Sequence, residues 1–220
     1  MNSGRLTFVT AELGLRERKK RQTRQSIFET ASRLFAERGF DAVTVAEVAR
    51  AADVSEVTVF NYFPSKEDLF FGGMEVFEEQ LLEAVRRRGA GESALAAFRH
   101  LVMGGFTRVA AEETAPVIAK AAMLINLSAA LQAREREVVA RYTRLLAAML
   151  AEDTGVAPDA VEPWAVASAL MGTHRAVVAY VRSRALAGSQ GRQLARDARA
   201  QAIRGFARLE RGLADYAVRS

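Results

Sequence analysis

The chain of 220 residues contains no cysteine, only four prolines and only two histidines. Without cysteine it can form no disulfide, no thiolate zinc site, no iron–sulfur cluster and no cysteine nucleophile. His100 and His174 are too few for a metal site built on several histidines. We also find no glycine-rich phosphate loop and no serine nucleophile elbow. We therefore expect no catalytic residue, no metal and no cofactor, and predict that the protein is not an enzyme.

Long apolar runs are also missing. The best candidate, residues 176–181, is six residues long and lies between Arg175 and Arg182, whereas a membrane span needs about 18 apolar residues. The N-terminus is polar and then basic, without the apolar core of a secretion signal. These features predict a soluble cytoplasmic protein.

The residues that are abundant favour helices. Half of the chain is apolar and 26% is charged, which is typical of a globular protein. Alanine, arginine, leucine and glutamate are strong helix formers, and there are few prolines and glycines to interrupt them. Apolar positions recur at helical spacing and no segment alternates as a strand would. The sequence predicts an all-α fold of about nine helices, one of them running from Ser65 through Arg87.

The net charge is +5, and cations concentrate near the N-terminus. The segment 16–24 carries six cations and one acid, Glu17. Such a run can bind phosphate, but it can equally be the solvated start of a helix. The segment before it, residues 1–15, shows no clear period and is predicted to be a flexible arm.

Residues 44–63 have the spacing of a helix-turn-helix motif. Thr44 and Glu47 form a capping box that predicts a helix from Val45. Asp53 stands in the turn, where a left-handed backbone is needed and aspartate is tolerated. Ser55 caps the second helix, whose outer face carries Glu56, Val57, Thr58 and Asn61. A helix of this kind fits the DNA major groove, although an ordinary helical hairpin would give the same pattern.

Residues 16–74 resemble the DNA-binding domain of TetR-family transcriptional regulators. The matching segments are the basic start at 16–24, Ala31–Phe35, Glu37–Phe40, Thr44–Ala49 and Phe60–Leu69. The last of these is the most specific. The resemblance implies an N-terminal three-helix helix-turn-helix domain joined to a larger helical bundle at 75–220 that binds an effector and dimerises.

The resemblance also implies roles for individual residues in DNA binding. Contacts to phosphate are expected from Thr44, Tyr62 and Lys66, and contacts to the backbone or minor groove from Arg16, Lys19 and Lys20. The major groove would face Ser55, Glu56, Val57, Thr58 and Asn61. Phe60 replaces the family's usual tyrosine and Asp53 its usual glycine. Because this helix has no arginine or lysine, we expect base recognition by Asn61, Thr58 and Val57.

The C-terminal part resembles the family only in helix number and length, and the stretch 127–155 resembles an actinobacterial subgroup associated with acyl-CoA sensing and mycofactocin clusters. The last two predicted helices, 162–186 and 190–217, would form the homodimer contact. Ala165, Ala169, Gly172 and Ala176 make a stripe of small residues there, which can instead pack within one subunit.

A hydrophobic or aromatic effector would enter a cavity in this part of the chain. The residues expected to line it are Phe77, Leu81, Phe98, Leu101, Phe106, Met123, Asn126, Tyr142, Leu146, Trp164 and His174. A stripe of apolar residues at helical spacing can also be ordinary core. The function expected is a repressor released from a pseudo-palindromic operator by this effector. The alternative is a DNA-binding regulator without a small-molecule effector, controlled by a protein partner or by its abundance.

Overall fold

The computed structural model describes residues 4–72, 74–157, 159–213 and 216–218, and they fold as ten α-helices. Within these residues the extended structure consists of one isolated bridge, between Ser93 and Val218. The all-α prediction is confirmed. The helices are α1 (Gly4–Arg38), α2 (Val45–Ala51), α3 (Glu56–Tyr62), α4 (Lys66–Phe70), α5 (Met74–Arg86), α6 (Ala94–Val109), α7 (Thr114–Leu127), α8 (Ala129–Thr154), α9 (Val161–Leu186) and α10 (Gly191–Leu213).

Two compact units divide the chain between residues 72 and 74. The first holds α1 to α4 and the second holds α5 to α10. Helix α1 begins at Gly4, so the segment for which the sequence predicts an arm is helical from that residue onward. No proline falls in this segment to interrupt a helix that extends back from the basic run.

In the first unit α2 and α4 pack against α1, and α3 packs against α2. Phe35 on α1 lies 5.1 Å, ring centre to ring centre, from Phe40 in the following turn. Phe70 at the end of α4 approaches the same two rings at 6.2 and 5.9 Å. Such tilted and edge-on aromatic pairs add stabilisation beyond the area they bury. This cluster fixes the position of α4 relative to α1.

The long helix that the sequence predicts from Ser65 to Arg87 is interrupted, which is why ten helices appear where about nine were predicted. α4 ends at Phe70 and α5 begins at Met74. Gly72 lies against two rings: a Cβ built there would be 2.8 Å from Phe63 and 2.9 Å from Phe28. Only a residue without a side chain allows this approach, and the pattern of the sequence does not reveal it.

The second unit is built around α9, which packs against α7, α8 and α10, while α6 packs on α10. Its core contains fully buried apolar side chains from several helices, among them Leu81, Phe98, Leu146, Leu170 and Phe206. α8 ends at Gly155, whose φ of 67° lies in the left-handed region that favours glycine.

A buried arginine ties three parts of this unit together. The Arg88 side chain is 4% exposed, and its guanidinium pairs with Asp153 at 2.8 Å. It also donates to the carbonyl oxygens of Val85 and Ala217. A buried charge needs such partners to offset its loss of hydration.

No single helix in the described ranges combines the length and apolar character of a membrane span. Only α7 and α8 taken together, across a bend of 107°, reach the corresponding composition.

Replacing Gly72 by alanine tests the close approach that separates α4 from α5. The added Cβ would meet the buried Phe63 ring, so we expect the free energy of unfolding of the first unit to fall by about 1–3 kcal/mol. Urea unfolding followed by circular dichroism measures it. Gly104 in α6 is the matched control, because a Cβ there meets nothing within 4 Å. Gly104→Ala should be neutral or stabilising; equal destabilisation by both variants would contradict the explanation.

Candidate DNA-reading surface and ligand cavities

The turn between α2 and α3 has the geometry of a helix-turn-helix motif. The amide of Val54 donates to the carbonyl oxygen of Ala49 at 3.0 Å. Asp53 has a φ of 55°, as the sequence predicts for the turn. Val48 and Val59 are fully buried between the two helices. These contacts hold α3 at a fixed angle to α2.

Thr44 and Glu47 cap the start of α2 as predicted. The Thr44 amide and hydroxyl donate to one carboxylate oxygen of Glu47, at 2.8 and 2.9 Å. The Glu47 amide donates back to the Thr44 hydroxyl oxygen at 3.2 Å. Arg38, at the end of α1, pairs with the other carboxylate oxygen at 2.8 Å. Bonding to the Thr44 backbone N–H, then to Arg38 and to the Thr44 hydroxyl, lowers the pKa of Glu47 to about 2. The Thr44 hydroxyl is thus engaged in the cap before any phosphate approaches.

Helix α3 presents one buried and one exposed face. Val59 on α3 and Phe63 just after it are buried in the unit, which fixes the helix. On the other face Val57 is 70% and Phe60 46% exposed. Of the predicted base-reading residues, Ser55, Glu56, Val57 and Asn61 are exposed and Thr58 is half-buried.

The Thr58 side chain is held in place by Ser55. The two hydroxyl oxygens lie 2.8 Å apart, and the Thr58 amide donates to the Ser55 hydroxyl oxygen at 3.1 Å. This is the N-cap of α3. The exposed end of the helix therefore carries a hydrogen-bonded pair of hydroxyls beside the exposed Glu56 and Asn61 side chains.

The predicted phosphate-binding residues differ in their burial and in their contacts within the first unit. Arg16, Lys19 and Lys20 are exposed on α1, at the spacing of one helix face. Tyr62 and Lys66 are half-buried. The Lys66 ammonium lies 4.3 Å from the centre of the Phe40 ring and 3.5 Å from the carbonyl oxygen of Asp41.

Arg24, the last cation of the basic run, makes contacts within the first unit. Its guanidinium lies 4.6 Å from the centre of the Phe63 ring and donates to the carbonyl oxygen of Gly72 at 3.2 Å. It therefore links α1 to the residues that follow α3 and α4. Sequence spacing alone does not separate this cation from the exposed ones before it.

Three cavities in the second unit meet at His174 on α9. The first, which we call the α7 cavity, measures about 330 Å³ and lies among α6, α7 and α9. The second, the α8 cavity, measures about 140 Å³ and lies among α5, α8 and α9. The third, the α5 cavity, measures about 530 Å³ and lies beside α5 and α6. His174 lines all three. A larger hollow of about 710 Å³ between α5 and α6 is an open groove with Glu83, Arg87 and Glu92 in its walls, and we assign it no role.

The residues predicted to line a ligand cavity fall into three groups. Walls of these cavities include Phe77, Leu101, Phe106, Tyr142 and His174. Fully buried in the core, away from these three cavities, are Leu81, Phe98 and Leu146. Exposed at the surface are Met123, Asn126 and Trp164, of which Trp164 lines a separate groove between α8 and α9.

Much of the apolar lining of the α7 cavity is not among the residues predicted from the sequence. Val177, Val178 and Val181 on α9 line the α7 cavity together with Ile118 on α7. Three of these lie in or at the end of the run 176–181, which the sequence analysis treats only as too short to span a membrane. Which face of α9 borders a cavity depends on α6 and α7, and helical periodicity does not contain that information.

His174 occupies an unusual environment. Its ring stacks on Phe77 with centres 4.7 Å apart and planes inclined by 10°, and it meets Phe98 edge-on at 6.3 Å. Its Nδ1 atom is buried without a hydrogen-bond partner among the described residues. Burial, and secondarily the charge of Arg182, lowers the pKa of His174 to about 4. The imidazole is therefore neutral at pH 7.

Charged side chains stand next to this histidine. Arg182 pairs with Glu135 on α8 at 2.6 Å, both about one-quarter exposed. Both line the α8 cavity, as does Arg175. Among the described residues no group of three or more histidine, aspartate or glutamate side chains is arranged to hold a metal ion.

Two family models match the chain. The model described as bacterial regulatory proteins of the tetR family matches residues 27–72, which include the helix-turn-helix. The model described as the MftR C-terminal domain matches residues 92–214, more than half of the chain.

Curated relatives match short segments of the chain. The transcriptional regulator TcmR of Streptomyces glaucescens is 38% identical over 84 residues, which is 38% of this chain and 37% of TcmR. LuxR of Vibrio harveyi is 48% identical over 46 residues, which is 21% of this chain and 22% of LuxR. The chain thus matches well under half of the length of these relatives.

Solved structures support the fold over most of the chain. A SmeT–triclosan complex has a TM-score of 0.53 at 18% identity and covers 85% of this chain and 91% of SmeT. The fatty acid degradation regulator FadR of Bacillus halodurans has a TM-score of 0.51 at 21% identity, covering 84% of this chain and 94% of FadR.

The cap at Glu47 predicts how the stability of the first unit changes with pH. The folded-state pKa of Glu47, about 2, lies below its ordinary value of 4.5. The stabilisation of the folded state by ionised Glu47 is therefore fully present above pH 4.5 and is lost as the pH falls toward 2. Glu47→Gln should lower the thermal midpoint at pH 7, and the difference from the unmodified protein should shrink between pH 5 and pH 2. Glu29, an exposed carboxylate on α1, provides the control as Glu29→Gln. A Glu47→Gln deficit that stays constant down to pH 2 would contradict this role.

Proposed function

Because the chain belongs to the TetR family of bacterial transcriptional regulators, we propose that it is a repressor that binds a pseudo-palindromic operator as a homodimer and leaves it when a small hydrophobic or aromatic effector binds. Members of this family are DNA-binding regulators, and we assign this chain no enzymatic activity. The proposal places it in the cytoplasm, where the operator is. Residues 16–74 form the DNA-binding domain and residues 75–220 the effector-binding and dimerisation domain.

The exposed face of α3 carries the DNA-binding part of the proposal. A helix held by Val59 and Phe63 and bare on its other side can enter a major groove without unfolding the unit. Asn61 can bind adenine with its amide. Val57 can contact a thymine methyl group, and the Ser55–Thr58 hydroxyl pair can bind either bases or phosphate.

Cations on α1 supply the part of the DNA affinity that does not depend on the base sequence. Arg16, Lys19 and Lys20 are exposed and can neutralise phosphates of the backbone, which releases counterions. Lys66 and Tyr62 lie at the other end of α3 and can fix its register on the duplex. Glu56 opposes phosphate, so it favours a position over a cytosine amino group.

The cavities around His174 support the effector part. They are lined mainly by apolar side chains from five helices, with a few polar groups, as small-molecule sites generally are. An effector shifts the regulator away from DNA only if it binds the DNA-free conformation more tightly than the DNA-bound one.

Helices α9 and α10 provide the proposed dimer contact. Ala165, Gly172 and Ala176 on α9 are exposed, and Ala169 is half-buried. Small side chains allow a second helix to approach closely. A two-fold contact through this face would give the dimer two copies of α3, one for each half-site.

Base recognition is tested by Asn61→Ala. We expect this variant to keep most of its non-specific affinity but to lose its preference at one position of each half-site, at a cost of about 1–3 kcal/mol. Selection from a randomised operator library measures the preference. Lys19→Ala is the comparison: it should weaken binding to every sequence alike and reduce the salt dependence by about one phosphate contact. An unchanged base preference in Asn61→Ala would disprove its assignment.

Dimerisation is tested by placing a long charged side chain on the exposed face of α9. Ala176→Arg should yield monomers in sedimentation experiments and weaken operator binding, because one α3 reads only one half-site. Ala130→Arg, on an exposed position of α8, is the control and should stay dimeric. A dimer of unchanged stability in Ala176→Arg would place the interface elsewhere.

A further inference from the structure

The Nδ1 atom of His174 is the feature that the proposed function leaves unexplained. Buried polar atoms nearly always have a hydrogen-bond partner, and leaving one without costs free energy. His174 has none for this atom among the described residues, and its ring is held in place by Phe77 and Phe98. His174 lines three cavities, but its Nδ1 atom has almost no accessible surface, so a ligand becomes the partner of this atom only if the ring turns toward a cavity.

The charged groups around the ring indicate which ligand fits. On α9 these are Arg175 and Arg182, and on α8 Glu135, with the titratable Tyr142 beside it. On α6 they are His100 and Arg108. The walls contributed by α5 and α7 are Phe77, Gln80, Ile118 and Ala121, none of which titrates. Of the groups charged at pH 7, three are positive and one is negative.

Glu135 is paired with Arg182 at 2.6 Å, and the other two charged lining residues, Arg175 and Arg108, are exposed cations, so the net charge of the walls is positive. A positive wall around an apolar cavity attracts a negative group attached to an apolar body. A cationic ligand would be repelled by Arg175 and Arg108, because Glu135 is already paired with Arg182. A neutral ligand would gain no charge attraction from these arginines.

We infer that the effector is an organic anion with an apolar or aromatic body, that its negative group binds beside His174, and that one proton is taken up from solvent by the imidazole on binding. No covalent bond to the ligand forms or breaks. The inference rests on the proposed function, because it concerns the same cavities, and it adds the charge of the effector and a pH dependence.

The direction of the pH dependence follows from the two states of the ring. Without ligand the imidazole stays neutral well below pH 7, since burial and Arg182 disfavour its charge. A bound anion in contact with it favours the charged ring and raises its pKa. Between the two pKa values the affinity for the anion therefore rises as the pH falls, by at most about tenfold per pH unit for one proton.

The experiment compares two fluorescent probes that share one ring system. Anilinonaphthalenesulfonate carries a sulfonate that stays ionised at any pH used, so it cannot take up the proton itself. Phenylnaphthylamine is the same body without the sulfonate. Their dissociation constants are measured from fluorescence at pH 6, 7 and 8 with the full-length protein.

Two variants on the same helix are compared. His174→Gln keeps a polar side chain that cannot be protonated, and Arg184→Gln changes an exposed residue of α9 that lines none of these cavities. We expect the sulfonate probe to bind severalfold more tightly at pH 6 than at pH 8, within the limit of about tenfold per pH unit for one proton. This dependence should persist in Arg184→Gln and vanish in His174→Gln. Phenylnaphthylamine should bind alike at all three pH values.

A second readout needs no variant. Calorimetry of the sulfonate probe in phosphate and in Tris buffer should give different heats, since the proton taken up comes from the buffer. Equal heats, or a pH dependence unchanged in His174→Gln, overturn the inference. If phenylnaphthylamine binds and releases operator DNA while the sulfonate probe does not bind, the proposed function stands and the inference fails. If neither probe binds, the cavity assignment and the inference fail together.

Discussion

The burial of Val59 and Phe63 beneath α3 is the contact on which the DNA-reading surface depends. α3 has only seven residues, and an isolated helix of that length is not stable in water. Its conformation is therefore supplied by its buried face, by the Ser55 cap and by the turn at Asp53. Because those residues fix the buried face of the helix, its exposed face can carry side chains that serve binding rather than stability.

The supports of α3 are themselves held by polar contacts from α1. Arg38 binds Glu47 at the start of α2, while Arg24 covers the Phe63 ring and binds the carbonyl oxygen of Gly72. The same helix thus supplies exposed cations at its N-terminal part and structural cations further along. In the proposed function, this arrangement separates the cations that attract phosphate from those that stabilise the unit.

Local motifs account for what could be predicted from the sequence. The capping box at Thr44, the N-cap at Ser55 and the left-handed Asp53 depend on residues within four positions of each other, and the structure contains all three. The break after Phe70 has a local signal in the consecutive glycines 72 and 73, whereas the close approach of Gly72 to Phe28, which is distant in sequence, has none. The cavity lining shows the same limit. Periodicity identifies apolar faces, but whether Phe98 lies in the core and Val178 at a cavity depends on how six helices pack.

The most direct test of the account is the ratio of specific to non-specific DNA binding. The purified protein is titrated with DNA from upstream of its own gene and with a scrambled sequence of equal length, at two salt concentrations. We predict that the upstream DNA, or a site selected from a random library, binds at least about a thousandfold more tightly than the scrambled DNA. Equal affinities for all sequences, falling steeply and in parallel with salt, would mean that only the cations of α1 contact DNA. That result would contradict the assignment of α3 as the helix that reads the bases.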